Sequence, residues 1–320
     1  MYLITGCAGF IGFHVCNYLL KKKIKVIGVD SLNKYYSINF KRDRLNTLKK
    51  NKNFKFYKID ISKKKDIENL FKKYKFHYIF HIAAQPGVMY SYKNPSSYKK
   101  NNIDATKIVV DLIEKYKTKQ FIFVSSSSVY GDQKKYPIKE NFLLKPINYY
   151  AKTKIACENL VQKKLSGLDI STKIVRPFTV YGPYGRPDML ILKLLSKINK
   201  NENIEIFDHG NQIRDFTYVD DIAKMIFRLS KRKNKSVKIF NLCASNPVSI
   251  NQAVKILKNK LKKDFKISYK KKRKGEMKKT FGSNNKVQKY INFKKFTNIK
   301  KGINETTEWF LNYSKKKNIY

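Results

Sequence analysis

Acidic residues, arginine, cysteine and long apolar runs are all scarce in this sequence, and each shortage removes a class of explanation. Only 23 Asp and Glu stand against 70 Lys and Arg, for a formal charge of +47. Such an excess reads first as a polyanion partner. The shortage of arginine argues otherwise: only eight basic residues are Arg, and the lysines run along the whole length instead of gathering in one stripe or tail. Arginine is the usual choice for phosphate forks and base edges. We therefore expect no specific nucleic-acid partner, only nonspecific adhesion to anions at low salt. The four cysteines, Cys7, Cys16, Cys157 and Cys243, show neither CxxC nor Cys/His ligand spacing. Structural disulfides and a metal centre are thus not expected. No apolar stretch approaches the ~18 residues of a membrane span, and no cationic, apolar leader with a small-residue cleavage site is present. The expectation is a soluble, cytoplasmic protein with no membrane partner. The single tryptophan, Trp309, lies beside Phe310 in a terminal amphipathic segment and reads as packing.

What is present begins with a strand, a glycine turn and a helix. The apolar run Tyr2 to Thr5 opens into GCAGFIG, Gly6 to Gly12, and then a helical pattern turns Val15, Leu19 and Leu20 inward. Here Gly6 allows the tight turn, Gly9 lets backbone approach a pyrophosphate, and Gly12 allows close helix packing. The helix N-terminus then faces the phosphates. The next apolar strand, Lys25 to Val29, ends at Asp30, where a carboxylate can accept both ribose hydroxyls and repel a 2'-phosphate. That pattern favours NAD over NADP. Phe54 to Ile61 reads as a third strand, reaching Asp60 at the adenine end, and Tyr78 to Gln85 as a fourth, with Ala83 and Ala84 small enough for a dinucleotide to pass over. Between them an amphipathic helix, Lys63 to Lys75, faces Ile67, Leu70 and Phe71 inward. A helix from about Pro95 to Tyr116 is apolar on more than one side, which suggests partner contact as well as core. Gln120 to Gly131 is a buried strand running into four serines. This alternation implies an α/β fold, a doubly wound parallel sheet with its ligand across the carboxyl ends of the strands.

Tyr150 is followed four residues later by Lys154, at the start of a helical stretch, so the two share a face. A tyrosine acting as a base near neutral pH needs help, because its ordinary pKa near ~10 leaves almost none ionised. Tyr18, Tyr130, Tyr290 and Tyr313 also have Lys four residues on, so the spacing alone selects nothing. Position does: a strand ending at Ser126 delivers hydroxyls to the ligand edge of the sheet, and the next helix carries Tyr150 and Lys154 to the same edge. The bland alternative for the serines is turn or cap residues.

With TGCAGFIG, GVDSLNKYYSINFKRDRL, HIAAQPGV, SSSSVYG, YAKTK, RPFTVYGPYGRPDM and RDFTYVDDI in hand, the chain resembles the extended short-chain dehydrogenase/reductases, the NAD-dependent epimerase/dehydratase family. Within it, the resemblance is closest to the UDP-glucuronate 4-epimerases. It implies a Rossmann domain over residues 1–176, with returning segments at about 213–245, and a smaller C-terminal α/β substrate domain from 177–212 and 246–320. It implies that Tyr150 as phenolate takes the sugar 4-hydroxyl proton while hydride leaves C4 for tightly held NAD, with Lys154 lowering the tyrosine pKa and binding the nicotinamide ribose. Ser126 is implied to hydrogen-bond the 4-oxygen, while Ser127, Ser128 and Thr179 receive the sugar carboxylate with Arg186 nearby. Arg214 is implied to meet the UDP diphosphate, and Gly87, Val88 and Phe178 complete the substrate contacts. The implied cofactor contacts are Gly6, Gly9, Phe10, Ile11, Gly12, Asp30, Asn33, Asp60, Ile61, Ala83, Ala84, Gln85, Asn102, Ser125, Tyr150, Lys154 and Pro177.

The serine run lacks the acids that dehydratases and decarboxylases of the superfamily carry there, and Phe178 stands where UDP-galactose 4-epimerases usually have Asn. A UDP-glucose/UDP-galactose 4-epimerase, or another sugar-nucleotide enzyme of the family, stays the alternative, because Met89 and Pro86 depart from the family pattern, as do Lys274 and Met277. A basic binding protein on an enzyme scaffold is the third reading. Asp220 and Asp221 read as helix caps. Apolar faces around Ile103 to Ile113 and Ile155 to Leu165 suggest a homodimer, as the resemblance also implies.

Overall fold

The computed structural model describes residues 1–271 and 275–317. Lys274 and the end of the basic run from Tyr269 lie outside them. The strands in chain order are β1 (Tyr2–Thr5), β2 (Val26–Asp30), β3 (Phe54–Lys58), β4 (Tyr78–His81), β5 (Gln120–Val124), β6 (Ser171–Pro177), β7 (Thr179–Tyr181), β8 (Ile204–Phe207), β9 (Ile213–Tyr218), β10 (Lys238–Leu242), β11 (Pro247–Ser249) and β12 (Ile267–Lys270). The helices are α1 (Phe10–Lys21), α2 (Ile38–Lys49), α3 (Lys64–Lys73), α4 (Val88–Lys93), α5 (Pro95–Tyr98), α6 (Ala105–Lys115), α7 (Tyr149–Leu165), α8 (Leu190–Asn199), α9 (Val219–Ser230), α10 (Ile250–Leu261), α11 (Asn285–Ile291) and α12 (Ile299–Ser314).

Seven strands form one parallel sheet in the order β10-β6-β5-β4-β1-β2-β3. The period-2 alternation of its strands divides the core. Tyr2, Ile4, Phe80, Ile122, Val124 and Val175 point to the face covered by α1, α2 and α9. Leu3, Ile27, Ile79, Phe121, Phe123 and Ile174 point to the face covered by α3, α6 and α7. Helices on both faces of a parallel sheet make the doubly wound architecture that the alternation predicts. Within residues 213–245, α9 packs on α1 and β10 joins the main sheet, whereas β9 pairs with β7 and β11. A third core, built from α8, α10, α12 and β8, underlies the C-terminal lobe and contains Phe310, with Trp309 half-buried against Tyr184.

Three strands of the sheet stop sooner than expected, β3 at Lys58, β4 at His81 and β5 at Val124. The residues beyond leave the ladder because they bend over the ligand edge. The expected rod from Pro95 to Tyr116 is likewise interrupted by a π-helical turn, Lys99–Asp104. Such turns recur at functional sites, and this one places Asn102 in the interior. Asp220 and Asp221 lie inside the first turn of α9, whose cap is Tyr218, and do not cap it. Asp220 instead pairs with His14 at 2.7 Å, and Asp221 accepts the Thr297 amide at 2.6 Å. All four cysteines are free and buried. Among the described residues, no helix is long and apolar enough to cross a membrane.

Candidate active site

A cleft of about 330 Å³ runs along the carboxyl ends of the parallel strands, far larger than the 20 Å³ cavity beside it. One end is a glycine cradle. Gly6 has φ +72, and a Cβ there would lie 2.9 Å from the Ala83 backbone, while a Cβ on Gly12 would lie 2.0 Å from the Gly6 carbonyl. Gly6, Gly9, Phe10, Ile11 and Gly12 line the cleft at the start of α1. Asp30 ends β2 beside them, its two carboxylate oxygens accepting the Ala8 amide at 3.1 Å and the Leu32 amide at 2.8 Å. Burial raises its pKa, opposed by these amides and by Lys41 and Arg44. Asn33, Asp60, Ile61, Ala83, Ala84, Ser125 and Pro177 complete this half of the lining.

The other end gathers the predicted chemistry. Asn148 caps α7, accepting the Ala151 amide at 2.9 Å, so Tyr150 and Lys154 sit in its first turns and both line the cleft with Ser126. The Ser126 hydroxyl accepts the Ser128 hydroxyl at 2.9 Å and the Ser128 amide at 3.2 Å. With those lone pairs occupied, its own proton is available to Tyr150. Burial raises the Tyr150 pKa, while hydrogen bonding with Ser126 and the Arg186 charge lower it. Lys154 donates instead to the Val124 carbonyl at 2.7 Å over the Phe123 ring, and burial pulls its pKa down to about 8. One turn further along α7, Glu158 receives Arg176 Nε at 3.0 Å and the Ser125 hydroxyl at 2.5 Å. That buried pair ties α7 to β6 and to the serine run.

Gly87, Val88, Phe178 and Arg186, the expected substrate contacts, also line the cleft. Arg186 is held bidentately by Asp188, at 3.0 and 2.8 Å. The Tyr35 hydroxyl crosses from the other side of the cleft to donate to the same carboxylate at 3.1 Å. Several expected contacts lie behind or beyond the wall. Gln85 and Asn102 are buried, bonded to each other at 2.7 Å, and Asn102 reaches Thr153 of α7 at 3.0 Å. Ser127 and Ser128 are buried beneath Ser126, and Thr179 faces the small neighbouring cavity. Arg214 is outside the lining, bonded to Gln212 at 2.7 Å and to the Ile213 and Lys278 carbonyls. Pro86 lines the cleft, whereas Met89 is 42% exposed and does not.

Among the lining residues that the sequence did not point to are Tyr35 and Lys41. Tyr35 belongs to a loop whose reach is set by tertiary contacts. Lys41 donates to the Asn33 carbonyl and side chain, both at 2.6 Å. It had a legible signal: Lys41 and Arg44 share the inward face of α2 with Phe40, Leu45 and Leu48, and cations on an apolar stripe ask for partners.

Comparison with known proteins agrees with this geometry. The model of the NAD dependent epimerase/dehydratase family matches residues 2–243. The UDP-glucuronate 4-epimerase of Thermodesulfobacterium geofontis is 40% identical over 312 residues, covering 96% of this chain and 95% of that one. A crystal structure of UDP-glucuronic acid 4-epimerase from Bacillus cereus, in complex with UDP-glucuronic acid and NAD, superposes with TM-score 0.92 at 30% identity, over 97% of this chain and 99% of that one. The UDP-glucose 4-epimerase of Thermotoga maritima with UDP-glucose gives TM-score 0.89 at 28% identity, over 97% and 98%. With its glycine cradle, its terminal Asp30 and its Ser126–Tyr150 pair in one cleft, the chain belongs to the NAD dependent epimerase/dehydratase family.

Proposed function

We propose that the chain is an NAD-dependent 4-epimerase interconverting UDP-glucuronate and UDP-galacturonate. The observation that carries this reading is the meeting, in one cleft, of a Tyr150 hydroxyl coupled to Ser126 and Arg186 with a glycine cradle that any Cβ would fill. The cradle and Asp30 suit a dinucleotide: Gly6, Gly9 and Gly12 leave backbone room for the diphosphate and Asp30 suits the ribose. NAD, when bound, supplies hydride acceptance and return at the sugar C4. Tyr150 removes and later restores the 4-hydroxyl proton. Ser126 holds the 4-oxygen, and Lys154 orients the nicotinamide ribose. Arg186, the one member of the expected carboxylate grip that lines the cleft, holds the sugar carboxylate. That grip matters because a 4-keto uronic acid is a β-keto acid and loses carbon dioxide readily.

The neutral-sugar alternative has its own support. Arg186 is already neutralised by Asp188, and Met89 contributes no charge. Incubation of purified protein with UDP-glucuronate and NAD, followed by the anomeric NMR signals, tests both. UDP-galacturonate is the expected product. Its absence, together with UDP-galactose formed from UDP-glucose, would replace the first reading by the second.

We further infer a homodimer formed through α6 and α7, where Ile108 and Ile155 remain only half-buried in the single chain. Light scattering after size exclusion is expected to give twice the 37.7 kDa chain mass, and a monomer at micromolar concentration contradicts it. Four buried free thiols suit a reducing compartment such as the cytoplasm.

A further inference from the structure

Three successive carbonyls of the loop leading to Arg186 are each held by a side chain from the cofactor-binding unit. The Pro183 carbonyl accepts from His14 Nε2 at 2.8 Å. The Tyr184 and Gly185 carbonyls accept from Arg44 Nη2 at 2.6 and 3.0 Å. The opposite edge of the same guanidinium donates through Nη1 to the Ala8 carbonyl, inside the glycine turn, at 2.8 Å and to the Tyr36 hydroxyl at 2.6 Å. Arg44 is fully buried, between the rings of Phe40 at 4.4 Å and Tyr36 at 5.4 Å. None of these four acceptors is a carboxylate. A buried cation with no carboxylate among its hydrogen-bond acceptors is costly, and its geometry shows what the cost secures. One rigid, planar group spans the turn that would hold the cofactor and the residue immediately before Arg186.

We propose that Arg44 is a positioning residue that couples the glycine turn to the substrate site, fixing Arg186 relative to Tyr150 by gripping the Ala8, Tyr184 and Gly185 carbonyls together. The kinetic half of this proposal rests on reading Arg186 as the sugar-facing cation. An ammonium cannot replace the fork, because a point donor on a flexible stem cannot reach both loops in fixed geometry.

The test uses the full chain with NAD bound. With only eight arginines, the guanidinium Nε–H region of a ¹⁵N NMR spectrum is sparse, and the Arg186 signal is assigned by its loss in Arg186→Lys. In Arg44→Gln and Arg44→Lys the Arg186 signal is expected to shift or broaden. A signal unchanged in both overturns the proposal. Should Arg44→Gln fail to fold, Arg44→Lys, which keeps the buried charge, gives the same reading. In kinetics, KM for UDP-glucuronate is expected to rise about tenfold in Arg44→Lys with kcat changed by less than about threefold, and the loss is expected to vanish on an Arg186→Lys background. Additive losses in that double mutant show a merely structural role and overturn the coupling. Wild-type protein inactive on UDP-glucuronate removes the proposed reaction, and the NMR signal then decides the role of Arg44 on its own.

Discussion

The Tyr150 hydroxyl stands between opposing influences, burial raising its pKa and Ser126 and Arg186 lowering it. As a base it works as phenolate, so removing a lowering influence moves the rising limb of activity to higher pH. Ser126→Ala is expected to displace that limb in a kcat/KM profile, and an unmoved limb would show that the hydroxyl is not coupled to the reaction. Tyr150→Phe is expected to reduce kcat by about 10²–10⁴-fold without loss of bound NAD, read from turnover and from the absorbance of the released cofactor. A second residue, His81, has no place in the chemistry yet sets the wall. The Thr5 hydroxyl accepts the Ile82 and Ala83 amides at 3.0 and 3.1 Å, so its proton goes to His81 Nδ1 at 2.8 Å, and Nε2–H is left for Thr106 at 3.1 Å. Burial depresses the His81 pKa to about 3 from an ordinary 6.5. The folded protein therefore keeps the ring neutral while the unfolded chain binds a proton below about 6.5, so this stability is present above 6.5 and is lost as pH falls toward 3. Between pH 6.5 and 5 the loss is about 2 kcal/mol. Urea unfolding of wild type and His81→Gln at both pH values should show the variant losing correspondingly less.

At the scale of elements, α1 depends on a glycine that no other residue replaces cheaply. A Cβ at position 12 would sit 2.0 Å from the Gly6 carbonyl. Gly12→Ala is thus expected to displace the start of α1 and to yield protein purified with little or no NAD, and full NAD occupancy would contradict this. This first strand, turn and helix unit was the most legible part of the sequence, because local periodicity and glycine spacing specify it without distant contacts. The strand ends were less legible. Tyr78 to Gln85 carries neither glycine nor proline, and apolar residues continue on both sides of His81, so no turn signal marks where pairing stops and the chain begins to line a cleft. The π turn around Asn102 was invisible for a related reason: its irregularity answers to Gln85 and Thr153, far along the chain. Tyr150, Lys154 and Ser126 were found by their register with the sheet. The Tyr35–Asp188–Arg186 cross-link was not, because residues 153 apart carry no shared pattern.

For the whole molecule, a charge of +47 predicts binding to duplex DNA that is strong at low salt and falls steeply with ionic strength. A salt titration by fluorescence anisotropy is expected to show no sequence preference at physiological salt, and a persistent preference would revive a nucleic-acid role. The order of the central sheet has a different consequence, one that concerns synthesis. Its N-terminal strand β1 is interior, but one edge is completed only by β10, at Lys238–Leu242. Until those residues leave the ribosome, the row of backbone donors and acceptors along β6 has no partner on that side, although every strand from β1 to β6 already exists. A chain halted after the first lobe would present this unpaired edge to its neighbours. The first lobe is therefore not a self-contained N-terminal piece: its sheet is complete only when residues from the second half of the chain have been made.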